Sequence, residues 1–313
     1  MSGPPPRLED VIATDDYELL TRDAGLLARP GRAVLQLDGS EAAEFLQGQV
    51  TNDVESLEPG SGCYAALLDH KGKLRADMRV LAMVPNRLLV DADTGSRAVL
   101  AHTFTTYSLG RDVRITDLTD ERTVLSLIGP AARGRLDAAP PEAEHAFVEG
   151  VHGLYVATDL GVDVVTDAAR LDAARELAPA VSEEAAEGVR IESGRPRLGI
   201  DMGSNTIPQE AGLNDRAVSF TKGCYVGQET VARMHYRGKP NRHLRGLELS
   251  QPVEHGAPIV LGEKEVGTVG SACVSPRLGP IALALVRREA SPGDAVVVGD
   301  VPATVVELPF SGA

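Results

Sequence analysis

The chain contains no tryptophan and aromatic residues make up only 4% of it, so aliphatic side chains must fill its interior. Cysteine is scarce as well. Cys63, Cys224 and Cys273 are far apart and form no C-x-x-C pair, which argues against a disulfide framework and for a reducing compartment. No apolar run is long enough to cross a bilayer, and Met1-Ser2-Gly3-Pro4-Pro5-Pro6 lacks an apolar signal core. The expectation is a soluble, cytoplasmic protein that engages no membrane and begins with a flexible tail over residues 1–14. Positive charge is in deficit: 31 Lys and Arg against 45 Asp and Glu give a formal net charge of −14, which opposes strong direct binding of nucleic acid. There is no G-x-G-x-x-G or P-loop string, and His70, His235 and His243 show no paired ligand spacing, so neither a nucleotide fold nor a metal site is expected.

What is present suffices for two or three domains, with 43% hydrophobic residues in 313. Ala33 to Leu37 reads as a strand, and Asp38-Gly39-Ser40-Glu41 has the cap spacing of a helix that runs to about Gln49. Cys63 to Leu68 and Leu74 to Val84 read as strands paired around the Asp69-His70-Lys71-Gly72 turn, with Arg87 to Asp91 as a third. A helix over 94–109 and strands over 112–117, 123–128, 153–158 and 162–166 follow. Between them, residues 131–144 read as a short helix with a loop. Further helices are expected over 168–177 and 182–192. The Gly-, Pro- and Asn-rich passage 194–215 is long for a plain connector and reads as a functional loop. From about Arg242 short apolar runs separated by Gly, Pro and Asp give the pattern of a small antiparallel barrel or sandwich.

Two places carry candidate chemistry. On the strand 74–84, alternation puts Leu74, Ala76, Met78, Val80 and Ala82 on one face and Arg75, Asp77 and Arg79 on the other, so two cations flank one carboxylate. From this segment alone a solvated row of salt-bridged charges is the preferred reading of that face. The second is Lys222-Gly223-Cys224-Tyr225-Val226-Gly227-Gln228-Glu229, which sets a thiol beside a cation ahead of a helix start, where the macrodipole favours an anion. The alternative is a glycine-punctuated helix entry with a small buried cysteine. Arg233, Arg237, Lys239, Arg242 and Arg245 then form a basic cluster in sequence, read equally as a pocket or as a solvated helix face.

The string from Lys222 to Glu229 resembles the signature of the YgfZ family, folate-binding proteins related to the glycine-cleavage T-protein (aminomethyltransferase) and implicated in iron-sulfur enzyme maintenance. Similarity continues at 45–54, 62–65, 68–77, 190–194 and 207–210, covering roughly residues 33 to 245. The resemblance implies an α+β, T-protein-like assembly: two interwoven folate-domain parts over 15–240, then a C-terminal β-barrel over 241–313. It implies a tetrahydrofolate site in which Asp77 handles the folate amine beside the pocket tyrosine Tyr64, and Glu192 grips the aminopyrimidinone edge of the pterin. Asp91 falls in that pocket where the T-protein pattern has asparagine. Lys222 and Arg233 are expected to meet the folate tail carboxylate or a phosphate-bearing partner.

Gly223, Tyr225, Gly227, Gln228 and Glu229 are expected to support the loop of Cys224, which has three readings: buried structural thiol, reactive thiolate, or ligand in a cluster handover. The function implied is a tetrahydrofolate-binding factor that supports iron-sulfur enzymes through those enzymes or their assembly factors and affects tRNA modification indirectly. A folate-dependent one-carbon transferase using Asp77, and a non-catalytic adaptor, are the alternatives.

Overall fold

The computed structural model describes residues 12, 14–29 and 31–310, so most of the expected N-terminal tail lies outside the described residues. In chain order the elements are α1 (Thr14–Arg22), β1 (Gly25–Arg29), β2 (Arg32–Asp38), α2 (Ala42–Gln47), β3 (Gly62–Leu68), β4 (Leu74–Val84), β5 (Arg87–Asp93) and α3 (Arg97–Tyr107). Then come β6 (Arg114–Asp117), β7 (Thr123–Ile128), β8 (Phe147–Gly150), β9 (Gly153–Thr158), β10 (Gly161–Thr166), α4 (Leu171–Arg175), α5 (Glu183–Glu192), α6 (Asn214–Ala217) and α7 (Gln228–Arg237). The last six strands are β11 (Arg242–Leu249), β12 (Pro258–Leu261), β13 (Lys264–Ser275), β14 (Gly279–Arg287), β15 (Ala295–Val298) and β16 (Val301–Val306).

The chain divides into two compact units. A sheet unit holds residues 19–181 and 214–230; a barrel unit holds residues up to 18, 182–213 and 231 onward. This partition differs from a single boundary at 240. The reason is local packing: Ile191 of α5 joins Leu244, Ile281, Leu283 and Phe310 in one buried cluster, so the segment around α5 is part of the barrel's own core.

The sheet unit contains two five-stranded antiparallel sheets, β3-β4-β5-β2-β6 and β1-β7-β10-β9-β8. On the first sheet, one face packs under Phe45 and Leu46 of α2 and Leu100 and Phe104 of α3. Its other face meets the second sheet through Val34, Leu81 and Leu89 against Val124, Leu154, Val156 and Val165. The alternation expected for β4 is observed: Leu74, Ala76, Met78, Val80 and Ala82 are all buried, the last four on the helix-covered face. Asp77 and Arg79 share the intersheet face with Leu81, two and four residues along the same strand.

In the barrel unit, β11-β14-β13-β12-β15-β16 close into a six-stranded barrel around Leu247, Ile259, Val266, Val269 and Val305. The expected strand run was right, and closure removes the sheet edges that an open sandwich would leave. Ser182 caps α5 by accepting from the Ala185 N–H at 3.4 Å.

The expected cap on α2 is not made. Glu41 precedes its first turn without a side-chain capping bond, its carboxylate accepting instead from the Asp112 N–H at 2.5 Å, and Ser40 donates to Asp112 at 2.6 Å. Strands β1 and β8 were not foreseen, the helices expected over 94–109 and 168–177 are shorter, and 131–144 holds only a 3₁₀ turn at Ala132–Arg135. No helix among the described residues is long and apolar enough to cross a membrane.

Candidate functional site

Strand register assembles a polar row at one end of the intersheet face. Tyr64 on β3 lies opposite Arg79 on β4, and Arg79 lies opposite Asp91 on β5. The Tyr64 hydroxyl donates to Asp77 Oδ2 at 2.5 Å. Burial raises the Asp77 carboxyl above the ordinary aspartate value, although Tyr64 and the field of Arg32 oppose the shift. Burial and the Asp77 carboxyl in turn push the Tyr64 phenol well above its usual value.

Arg79 is not a solvated partner of Asp77. It is 5% exposed, donates through Nε to Asp91 Oδ2 at 2.6 Å and through Nη1 to Asp163 Oδ2 at 2.9 Å, and so ties β4 to β5 and to β10 of the other sheet. Arg32 donates to Asp91 Oδ1 at 2.7 Å. Asp91 itself has no exposure; burial alone would raise its carboxyl, yet the two guanidiniums bring it down to about 2. Arg75, the other expected flanking cation, is exposed.

Two residues that sequence reasoning passed over complete this end. Arg216 of α6 places its guanidinium 5.6 Å from the centre of the Tyr64 ring and binds Glu144. His145 sits with its ring centre 6.5 Å from that of Tyr64, in a left-handed backbone conformation (φ 68°) that few non-glycine residues adopt. Both its ring nitrogens are buried without a hydrogen-bond partner. Glu144 Oε1, at 3.5 Å from Nε2, is engaged by Arg216. Burial, with Arg79 and Arg216 nearby, lowers the imidazole to about 3 and keeps it neutral. No local sequence pattern marks His145; the isolated positive φ is the signal, and it is visible only in the fold.

The segment carrying the cysteine is fixed from beneath. Lys222 is 9% exposed and its ammonium donates to the carbonyls of Gln47, Val50 and Asn52 at 2.6, 2.7 and 2.8 Å. Thr51 donates to the Ala217 carbonyl at 2.5 Å, and Asn52 Nδ2 bridges the carbonyls of Tyr64 and Arg216. The run 45–54 is therefore the dock on which 214–222 lies. Tyr225 turns inward, its ring centre 5.1 Å from Lys222 Nζ.

Gly227 (φ 84°) has a steric reason, since a Cβ there would lie 2.5 Å from the Asp69 carbonyl oxygen; Gly223 has open space around it. Gln228 and Glu229 open α7, so Cys224 stands four residues ahead of the helix rather than at its first N–H groups. Lys222 points inward and Cys224 outward, and the expected pairing of cation with thiol is not what Lys222 does.

Cys224 is exposed, whereas burial pushes the half-buried Cys63 and Cys273 thiols up to about 12. Iodoacetamide at pH 8 is accordingly expected to label Cys224 on the order of tenfold or more faster than either of the others in the native protein. Peptide mass spectrometry reads this directly, and equal labelling of all three would contradict the exposures seen.

The remaining expected site residues lie in the barrel unit. Glu192 is 3% exposed: Tyr17 donates to both its oxygens at 2.9 Å, Ser275 to Oε1, and Arg277 to Oε2 at 3.0 Å. Its lone pairs are committed within its own unit. Arg233 is exposed on α7, where it lines a shallow groove of about 340 Å³ with Ala232, Tyr236 and Arg237. Among the described residues no group of three His, Cys, Asp or Glu is placed to hold a metal ion.

Comparison with known proteins agrees with this architecture. Residues 10–149 match the GCVT N-terminal domain and residues 242–311 the glycine cleavage T-protein C-terminal barrel domain. The chain is 30% identical to the tRNA-modifying protein YgfZ of Serratia proteamaculans over 77% of each chain. It is 29% identical to an aminomethyltransferase of Rubrobacter xylanophilus, over 94% of this chain and 85% of the relative. An iron-sulfur cluster assembly factor IBA57 homologue of Mycosarcoma maydis is 26% identical over 81% and 68%. In structure, the glycine cleavage system aminomethyltransferase T of Bartonella henselae superposes with a TM-score of 0.86 over 95% of this chain and 88% of that one, at 23% identity.

Proposed function

We infer, from the premise that this chain belongs to the YgfZ family of proteins built on the glycine-cleavage T-protein fold, that it binds a reduced folate and supports iron-sulfur enzymes, affecting tRNA modification through them. The observation that carries the reading is the Asp77 carboxyl, half-buried on the intersheet face and met by Tyr64 while both nearby arginines are engaged elsewhere. A flat nitrogen heterocycle would meet complementary groups at that end of the face. Tyr64 offers a ring, Asp77 a carboxyl group, and His145 two buried nitrogens without partners.

Tetrahydrofolate, when bound, supplies a carrier for one-carbon units. The chain's own residues do the rest: Tyr64 and Arg216 flank the ring system, Asp77 exchanges a hydrogen bond with a ring or linker nitrogen, and His145 adds a neutral donor or acceptor. Cys224, exposed and outside this grip, faces a protein partner. Lys222 and Glu192 act as braces of their segments, and Arg233 is a cation on the exposed face of α7.

Isothermal calorimetry with tetrahydrofolate tests the reading. Wild type is expected to bind, Asp77→Asn to bind at least about tenfold more weakly through loss of a buried hydrogen-bonded group, and Cys224→Ala to bind normally while failing to sustain an iron-sulfur enzyme in cells. A folded wild-type protein that takes up no reduced folate ends the proposal. The one-carbon transferase reading draws on the aminomethyltransferase relative that spans 94% of the chain. Methylenetetrahydrofolate made by wild type but not by Asp77→Asn would replace the first reading with this one.

A further inference from the structure

Asp77 and Arg79 are two residues apart on one face of β4, so their Cβ atoms stand about 7 Å apart, within reach of an arginine side chain. Arg32 on β2 is close enough for its charge to act on Asp77. Either guanidinium could therefore hold the Asp77 carboxylate. Neither does. Arg32 donates to Asp91 Oδ1 at 2.7 Å, Arg79 to Asp91 Oδ2 at 2.6 Å, and the second arm of Arg79 reaches Asp163 at 2.9 Å. Two cations are thus matched by two carboxylates, and Asp77 is left with the Tyr64 hydroxyl.

We propose that Asp91 is a positioning residue: by confining the guanidiniums of Arg32 and Arg79 it keeps both off Asp77, so that Asp77 meets a ligand through Oδ1 while Oδ2 accepts from Tyr64. A carboxyl group held clear of arginine is left to bind the polar edge of a nitrogen heterocycle instead of closing an internal ion pair. That the heterocycle is a folate rests on the function proposed above; the confinement of the two guanidiniums does not.

The other groups facing this carboxyl agree in sign. Asp93 on β5 adds negative charge that favours the protonated form. Arg216 is bound to Glu144 and lies over the Tyr64 ring, and His145 is neutral and brings no charge. Burial adds to the same preference.

Carboxyl-¹³C NMR titration of the aspartate-labelled full chain tests this without any ligand, with Asp77→Asn identifying the signal. In wild type the Asp77 signal is expected to titrate above the ordinary aspartate range. Asp91→Asn releases Arg32 and the Nε side of Arg79, whose other arm stays on Asp163, and is expected to move that midpoint down by about one pH unit or more, as an adjacent cation does. Asp91→Glu keeps the acceptor and is expected to restore the wild-type midpoint. A folded Asp91→Asn protein with an unchanged or raised midpoint overturns the proposal.

Should Asp91→Asn fail to fold, Arg32→Gln decides. Removal of a cation that opposes protonation is expected to raise the midpoint, and no rise overturns the assignment. Calorimetry with tetrahydrofolate across pH 5–8 is run alongside. Absence of binding by wild type would remove the folate while leaving the titration result standing.

Discussion

Replacing Lys222 with methionine is expected to lower the unfolding free energy by about 3–5 kcal/mol, because the carbonyls of Gln47, Val50 and Asn52 lose their shared donor in a buried place. Methionine keeps most of the volume, so the loss reports hydrogen bonding rather than a cavity. Urea unfolding followed by circular dichroism measures it. A pH signature accompanies it. Burial lowers the Lys222 ammonium from 10.5 to about 8, so between those values the unfolded chain holds a proton that the folded chain has released. This group's contribution to stability therefore grows as pH rises from about 8 to about 10.5, and is lost again as pH falls back to about 8. The Lys222→Met variant should lack that rise. A variant as stable as wild type would mean that the segment 214–222 is held mainly by other contacts.

Glu192→Ala is the second large effect. Truncation strands the Tyr17 and Ser275 hydroxyls and unpairs Arg277. Breaking a buried ion pair by removing one partner costs about 3–5 kcal/mol, and because Arg277 is 38% exposed and can be solvated, about 2–4 kcal/mol is expected here. The same variant separates two roles for the glutamate. As a brace, its loss lowers the urea midpoint while folded protein binds tetrahydrofolate as before. Weakened binding at unchanged stability would return Glu192 to the ligand, as the family resemblance implied.

Much of this was legible in the sequence where the signal is local. Period-two alternation on β4 named the face that Asp77 and Arg79 share, and the short runs after Arg242 announced the barrel strands. What the sequence withheld was pairing at a distance. Arg79 and Asp163 are 84 residues apart and meet only because β4 and β10 lie in facing sheets, so the row of charges looked solvated when it is an intersheet bridge. Lys222 looked like an activating cation for its neighbour Cys224. Its real partners are carbonyls some 170 residues earlier, and backbone acceptors leave no trace in residue type. Asp38 and Glu41 had the right spacing for a cap, but spacing does not reveal that Arg87 and Gln36 take the Asp38 carboxylate and the Asp112 N–H takes that of Glu41. The motif run 45–54 shows no sign in its residue types that it is the bed on which 214–222 lies, with Lys222 as the motif residue that ties the two together.

That bed has a consequence for biosynthesis. The Gln47, Val50 and Asn52 carbonyls receive the Lys222 ammonium, and the Thr51 hydroxyl donates to Ala217, only after the chain has left for the barrel unit at 182 and come back at 214. A nascent chain that has cleared the ribosome up to residue 181 thus carries all ten strands of the two sheets, yet has three open backbone acceptors beside α2. Nearly all of the sheet unit thus emerges well before that unit can finish, and chaperone occupancy during translation should persist until about residue 230 is exposed.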